Sequence, residues 1–338
     1  MIVIQACNIH QGGGAVLLKS ILYCLDKKNI TVKVFVDSRF QFESKKCIEV
    51  VKVKASVFSR FKIEVVLAQL SRKNKNLKIL FFGNLPPLFR SNKNAVLFFQ
   101  NLILLNKSNK IKFEIRTEIK HFIEKVWLKI CLKNINTVYV QSESVKRHFL
   151  IKFPYANVRI MAFFDLLPVL GNSEDGVKYF VYVASGDPHK NHLNLIKAWI
   201  YLYESGVNLK LILTTSCFSN EAKKIFTQAL SKGVDIEVKL NLSRKEIFKL
   251  YSSAKALVYP SLTESFGLPL LEAKLAGLPI IASELDYVRD LVDPVQTFDP
   301  NSDLSIARAV QRFLNINESG KTEIKSAADF VDMALLKQ

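Results

Sequence analysis

The sequence predicts an α/β fold made of two parallel-sheet units in succession, and three observations carry the prediction. Strand-like apolar runs alternate with helix-like apolar periods through both halves of the chain, the pattern of parallel sheets covered by helices. The chain has 338 residues, 49% of them hydrophobic, which suits two cores better than one. Between Leu170 and Val177 the segment GNSEDG is polar, contains glycine and lacks apolar periodicity, so the hinge is expected there.

In the first unit the strand-like runs are IVIQA from Ile2, VKVFVD from Val32, LKILFFG from Leu77, VLFFQN from Val96, TVYVQS from Thr137 and VRIMAFF from Val158. In the second they are YFVYVAS from Tyr179, LKLILTT from Leu209, IEVKL from Ile236, ALVYPS from Ala256 and PIIAS from Pro279. From Ile111 to Lys133 the residues Ile115, Ile119, Phe122, Ile123, Val126 and Ile130 recur at three- and four-residue intervals, with Lys112, Arg116, Lys120, Lys125, Lys129 and Lys133 between them. This is a basic amphipathic helix, expected to pack on its own domain, with binding to a membrane surface as the alternative.

Composition narrows the function. No apolar run approaches the ~20 residues of a spanning helix. Met1 to Ala6 reads as a strand with no basic residues before it, so no secretory signal is expected, and the location expected is the cytoplasm. The five cysteines, Cys7, Cys24, Cys47, Cys131 and Cys217, are scattered and without C-x-x-C spacing, which predicts reduced, mostly core thiols. Net charge is +18, and all the excess lies early: residues 1–170 hold 29 Lys+Arg against 10 Asp+Glu, residues 171–338 hold 19 against 20. A basic half attracts nucleic acid, anionic lipid or a phosphorylated substrate, or only keeps the chain soluble.

The residues with chemistry lie around the end of ALVYPS. Pro269 suits the first turn of a helix, and Gly277 with Pro279 stops it, so a helix is predicted from about Leu268 to Ala276. Glu272 sits on that helix, Glu264 in the loop before it, and Gly267 lets the backbone approach a ligand at the positive helix end. Two carboxylates flanking an anion-attracting helix end suit a nucleotide-sugar, with phosphate at the helix and hydroxyls on the carboxylates. Upstream, YFVYVAS runs into GDPHKN, which places Lys190 at the start of the next helix, a good clamp for a diphosphate.

Glu264 and Glu272 are the only Glu pair at that spacing, and they stand in S-F-G-L-P-L-L-E-A-x-x-x-G-x-P. With this motif the sequence resembles the family-four retaining glycosyltransferases, whose GT-B architecture has two Rossmann-like domains and an interdomain cleft. The resemblance implies that Glu264 contacts the transferred sugar, that Phe266, Gly267 and Leu268 offer backbone donors to sugar or phosphate, and that Glu272 binds the nucleotide ribose. It implies a catalytic role for Lys190 on the leaving diphosphate. The family commonly has an arginine five residues before that lysine; here the position is Ser185, which carries no charge.

Near the N-terminus, IVIQA leads through CNIHQ to Gly12, Gly13 and Gly14 and the apolar run AVLLKSILYCL. Glycines between strand and helix allow a phosphate or sugar to come close, and the resemblance places them in the cleft. Gly12 and Gly14 with Asp37 also overlap the dinucleotide fingerprint, but Leu17 replaces its third glycine, so a nicotinamide-dependent oxidoreductase is the alternative. A non-catalytic nucleic-acid-binding protein would explain the charge and leave Glu264, Glu272 and Lys190 without a role. On the acceptor side, relatives carry a histidine where this chain has Gln100-Asn101; His10 lies near the glycines, and Ser142 and Ser144 are expected to cap a helix. No D-x-D triplet and no metal-ligand spacing occurs, so metal-independent chemistry is expected.

The expectation is therefore an acceptor domain over residues 1–170 and a donor domain over 171–338, the last helix packing back on the first domain. The resemblance implies retaining transfer from a nucleoside-diphosphate sugar, used as co-substrate with no cofactor, to a saccharide or polyprenyl-diphosphate-linked acceptor in O-antigen, capsule or related polysaccharide synthesis. Partners expected are the donor, that acceptor and an anionic membrane surface at the inner face of the cell membrane, and no nucleic acid.

Overall fold

The computed structural model describes residues 1–43, 45–54, 56–92, 94–105, 115–164 and 179–316. Within them the strands are β1 (Ile2–Ala6), β2 (Val32–Asp37), β3 (Ile48–Val53), β4 (Lys78–Phe81), β5 (Ala95–Phe98), β6 (Thr137–Val140) and β7 (Val158–Ile160), then β8 (Tyr179–Tyr182), β9 (Leu211–Leu213), β10 (Ile236–Val238), β11 (Ala254–Tyr259), β12 (Ile280–Ser283) and β13 (Gln296–Phe298). The helices are α1 (Gly12–Lys27), α2 (Val57–Lys73), α3 (Ile115–Cys131) and α4 (Glu143–Lys152), then α5 (His192–Glu204), α6 (Asn220–Ser231), α7 (Arg244–Ser253), α8 (Leu268–Leu275), α9 (Asp286–Arg289) and α10 (Asp303–Phe313).

The strands form two parallel sheets, ordered β3-β2-β1-β4-β5-β6-β7 and β10-β9-β8-β11-β12-β13. The two-sheet α/β architecture expected from the sequence is the one observed. Central strands are buried on both faces, as parallel sheets under helices require: Ile4 pairs with Val34 on one side and Leu80 on the other, and all three stand inside the sheet. Two apolar clusters cover the faces of the first sheet and one continuous cluster, built around Tyr182, Trp199, Tyr251 and Tyr259, fills the second unit.

Several expectations need correction. β3 and β13 are absent from the strand-like runs of the sequence: β3 is an edge strand whose alternation is diluted by Glu49 and Lys52, and β13 is three residues long. Gly12, Gly13 and Gly14 are not a loop before the helix but the first turn of α1 itself. The apolar side of α3 does not pack on the domain: Ile115, Ile119, Phe122, Ile123, Val126 and Ile130 are exposed, and Leu128 and Cys131 on the other side face the core. The cysteines are unpaired as expected, yet only Cys7 and Cys131 are buried. Ser142 caps α4 by accepting from Val145 N at 3.3 Å, whereas Ser144 lies inside the helix and caps nothing. The hinge at residues 170–177, the start of the basic helix at Ile111 and Lys112, and any last helix beyond residue 316 lie outside the described residues.

Candidate functional site

Strand order reverses at the middle of each sheet, where β1 meets β4 and where β8 meets β11. In open parallel sheets ligands lie beyond the carboxyl ends of the strands at such a reversal. The segments leaving β1, β8 and β11 are the ones that carry Gly12, Lys190 and Glu264.

After β8 the chain passes Ser185 and Gly186 into a single 3-10 turn, Pro188–Lys190, and α5 begins only at His192. Gly186 has to be glycine, because a Cβ there would lie 1.6 Å from the Cys217 carbonyl oxygen. Asn191 adopts a left-handed φ of 61°, and its amide donates to the carbonyls of Pro260 (3.0 Å) and Pro300 (2.7 Å). Leu262 N donates to His189 O at 2.8 Å, and Tyr182 Oη donates to Lys190 O at 2.7 Å. These bonds bind the turn holding Lys190 to the loop holding Glu264.

The two side chains meet in a largely enclosed space: Lys190 Nζ lies 2.6 Å from Glu264 Oε1, with exposures of 15% and 10%. Tyr259 Oη donates to the same oxygen at 2.9 Å. Burial is the largest single influence on the Glu264 carboxyl and would raise it, but the Lys190 ammonium, together with His189 and a hydrogen bond from Ser261, outweighs it and holds the group below the ordinary carboxylate value. Burial, reinforced by Lys190, pushes His192 down to about 3, so this histidine is a neutral part of the core between Tyr182 and Phe218.

Glu272 projects from α8, whose N-cap Gly267 is left-handed at φ 77° and makes no side-chain cap. Phe266 is buried behind it. Tyr251 Oη donates to Glu272 Oε2 at 3.3 Å, and Arg244 Nε stands 3.6 Å from Oε1. Burial raises the Glu272 carboxyl, with Arg244 opposing, so the two glutamates are shifted in opposite directions. Arg244 also lies 5.1 Å over the ring of Phe164, at the far end of the first unit.

The start of α1 faces the start of α8. A Cβ on Gly13 would lie 2.9 Å from Leu268 Cδ1, and Leu268 packs against the apolar cluster of the first unit. Neither helix has a side-chain N-cap or an acidic residue in its first turn, so both present uncapped backbone N–H groups at their positive ends. Beside them Leu102 N donates to Ser265 Oγ at 2.8 Å across the two units.

The structure thus joins Lys190 to Glu264 and Gly13 to Leu268, and places Glu272 with Arg244. The Ser185 hydroxyl instead donates to Asp187 Oδ2 at 2.5 Å. On the first unit Gln100 Oε1 approaches Gly14, to within 3.6 Å of where a Cβ would stand. His10 Nδ1 is 4.0 Å from Asp37, which is gripped by Arg39 through bonds of 2.9 and 2.8 Å. The Arg39 hydrogen bonds lower Asp37 to about 2 and engage both of its oxygens. Sequence reasoning missed Arg244 and Tyr259. The capping box of Ser243 and Glu246 marks Arg244 as a first-turn residue, but nothing in the sequence aims that turn at Glu272.

Comparison with known proteins bears on the family and the fold. Residues 170–330 match the family described as Glycosyl transferases group 1. The O-antigen chain mannosyltransferase RfbU of Salmonella typhimurium is 27% identical over 187 residues, which are 51% of this chain and 50% of that protein. The O-antigen chain mannosyltransferase B of Escherichia coli is 30% identical over 143 residues, 40% of this chain and 37% of that protein. The matched stretch spans half or less of these relatives. Among solved structures, WaaG, a glycosyltransferase involved in lipopolysaccharide biosynthesis, superposes with a TM-score of 0.66 at 14% identity, covering 93% of this chain and 90% of that one. Anabaena HepE in complex with UDP and glucose gives 0.67 at 15% identity, covering 93% and 89%. At these identities the likeness establishes the two-domain GT-B fold.

Proposed function

We propose that this chain, whose residues 170–330 match the group 1 glycosyl transferases, is a member of that family that moves a sugar from a nucleoside-diphosphate donor to a saccharide or polyprenyl-diphosphate-linked acceptor with retained configuration, in the synthesis of O-antigen, capsule or another surface polysaccharide. The observation that carries this is the Lys190–Glu264 contact at 2.6 Å, held beside the uncapped N-terminus of α8. A fixed ammonium and free N–H groups offset diphosphate charge, and a carboxylate accepts hydroxyl hydrogens.

In this reading residues 171–338 hold the donor and residues 1–170 the acceptor. Glu272 accepts from the ribose hydroxyls, and Glu264 from the transferred sugar. Lys190 and the first turns of α8 and α1, including the N–H groups of Gly267, Leu268, Gly12, Gly13 and Gly14, face the diphosphate. Arg244 supplies a second positive charge on the donor side, where Ser185 has none. The bond from the anomeric carbon to phosphate breaks as the acceptor oxygen bonds the same face, and the leaving phosphate takes the acceptor's proton. These positive groups meet the diphosphate charge without a metal ion, so the reaction is proposed as metal-independent, with no further cofactor. A lipid-linked acceptor places the work at the inner face of the cell membrane.

The test is a panel of nucleotide-sugars, begun with GDP-mannose because the relatives named above are mannosyltransferases, read by thermal stabilisation and by slow donor hydrolysis in EDTA. Ligand at 100 times Kd should stabilise the fold by about 2.7 kcal/mol. A panel in which no GDP- or UDP-sugar shifts melting or is hydrolysed overturns the proposal.

A further inference from the structure

The exposed side of α3 is a surface the transfer reaction does not use. Ile115, Ile119, Phe122, Ile123, Val126 and Ile130 are between 41% and 77% exposed. At 100° per residue they fall within an arc of about 100°, one unbroken apolar stripe along the helix. Leu128 and Cys131, on the opposite side, anchor α3 to the core, and Trp127 Nε1 donates to Pro86 O at 2.9 Å. So α3 is anchored with its apolar stripe outward. Arg116 borders the stripe on one side and Lys129 on the other, both exposed. α2 packs beside α3, with the Arg60 guanidinium 4.7 Å over the Trp127 ring, and it too exposes large aromatic residues, Phe58 and Phe61. Isolated exposed apolar residues are ordinary, but a continuous six-residue stripe on one helix is not.

We infer that α3 is a membrane-docking helix: its apolar stripe lies in the headgroup boundary of an anionic bilayer, with Arg116 and Lys129 on the lipid phosphates. Charge complementarity selects this occupant. The first 170 residues hold 29 Lys+Arg against 10 Asp+Glu, a surplus that anionic lipid neutralises and that a second copy of the same face would repel. Geometry selects the orientation. No helix among the described residues is long and apolar enough to cross a membrane, and a 17-residue helix with a polar side fits the plane of the interface. The inference rests on the proposed function only for which face of the membrane is met.

The experiment uses the full chain. Co-sedimentation with vesicles of phosphatidylglycerol and phosphatidylethanolamine is compared with phosphatidylcholine vesicles, at low and high salt. The wild type should bind the anionic vesicles and weaken with salt. Ile119→Ser/Phe122→Ser/Ile123→Ser, changed only at exposed positions, should bind about tenfold or more weakly at both salts, with an unchanged melting temperature. Phe122→Trp should gain fluorescence quenching from lipids brominated on the acyl chain. The inference is overturned by wild-type chain that ignores anionic vesicles, by a triple variant that binds as well as wild type, by a Phe122→Trp variant whose added fluorescence is not quenched, or by a wild-type dimer that the triple variant abolishes. Donor hydrolysis without vesicles separates the two readings: vesicle binding with no hydrolysis of any nucleotide-sugar sinks the transferase proposal and leaves the docking surface standing.

Discussion

Lys190 Nζ stands 2.6 Å from Glu264 Oε1, so the turn after β8 and the loop after β11 are joined by one ion pair in which each side chain neutralises the other. In the proposed reaction a bound donor places its phosphates against Lys190 and its sugar against Glu264. The pair therefore holds both groups near their working positions before the donor arrives.

Lys190→Ala should cost about 2–4 kcal/mol of transition-state stabilisation, the range for one preorganised electrostatic donor, and Lys190→Gln should be nearly as poor. The same variant has a stability signature. Lys190 holds Glu264 below its ordinary value, so the pair stabilises the fold above the unfolded carboxylate value and loses that contribution as pH falls. The stability gap between wild type and Lys190→Ala should be full at pH 7 and shrink in acid. Near-normal turnover in either variant removes Lys190 from the mechanism.

Glu272→Ala and Arg244→Ala should both weaken nucleotide binding, while Glu264→Ala mainly lowers kcat. Arg244 Nε lies 3.6 Å from Glu272 Oε1, so the double variant should lose less than the sum of the two single losses. Calorimetric titration of the nucleotide into all four proteins decides it. Strict additivity, or donor affinity untouched in Glu272→Ala, is the adverse result.

Gly186→Ala should destabilise the donor unit by about 1–3 kcal/mol or more, since a Cβ 1.6 Å from the Cys217 carbonyl forces backbone to move. Donor affinity should fall with it, because the displaced turn carries Lys190. Gly12→Ala meets no atom within 4 Å and is strained only by its φ of 68°, so its melting temperature should drop less. Equal losses in the two variants contradict the steric account.

Much of the fold and of the candidate site is legible in the sequence, and the exceptions share a cause. Glu264 and Glu272 can be found because their spacing, Gly267 and Pro269 all bear on one strand–loop–helix unit, where local rules suffice. The same holds for Gly12 to Gly14, although their place inside α1 is not legible: a helix that opens on three glycines violates propensity, and tertiary packing against Leu268 overrides it. Arg244 escapes because its meeting with Glu272 joins the starts of two separate helices, which no local pattern reports. α3 shows the reverse failure. Its period is plain in the sequence, but the same amphipathic pattern serves a face turned to the core and a face turned to lipid.

The last prediction concerns Glu64, on the inner face of α2, which is 1% exposed and stands 3.6 Å from Arg60. Burial pushes its carboxyl from the ordinary 4.5 up to about 7, against the opposing pull of Arg60 and of the Leu88 N–H. A carboxyl that holds its proton more tightly when folded stabilises the fold fully below pH 4.5 and loses that contribution as pH rises from 4.5 to about 7. At about 1.4 kcal/mol per pH unit, the loss is roughly 3 kcal/mol. Glu64→Gln stays neutral throughout, and its amide oxygen still accepts from Leu88 N, now 3.2 Å from Oε2. The variant should therefore match wild type near pH 4.5 and be the more stable protein at pH 8, as denaturant unfolding at the two pH values would measure. If instead Glu64→Gln is much the weaker protein at pH 8, the ion pair with Arg60 outweighs the burial of its carboxylate, and the pair is a net stabiliser of the interface between α2 and α3.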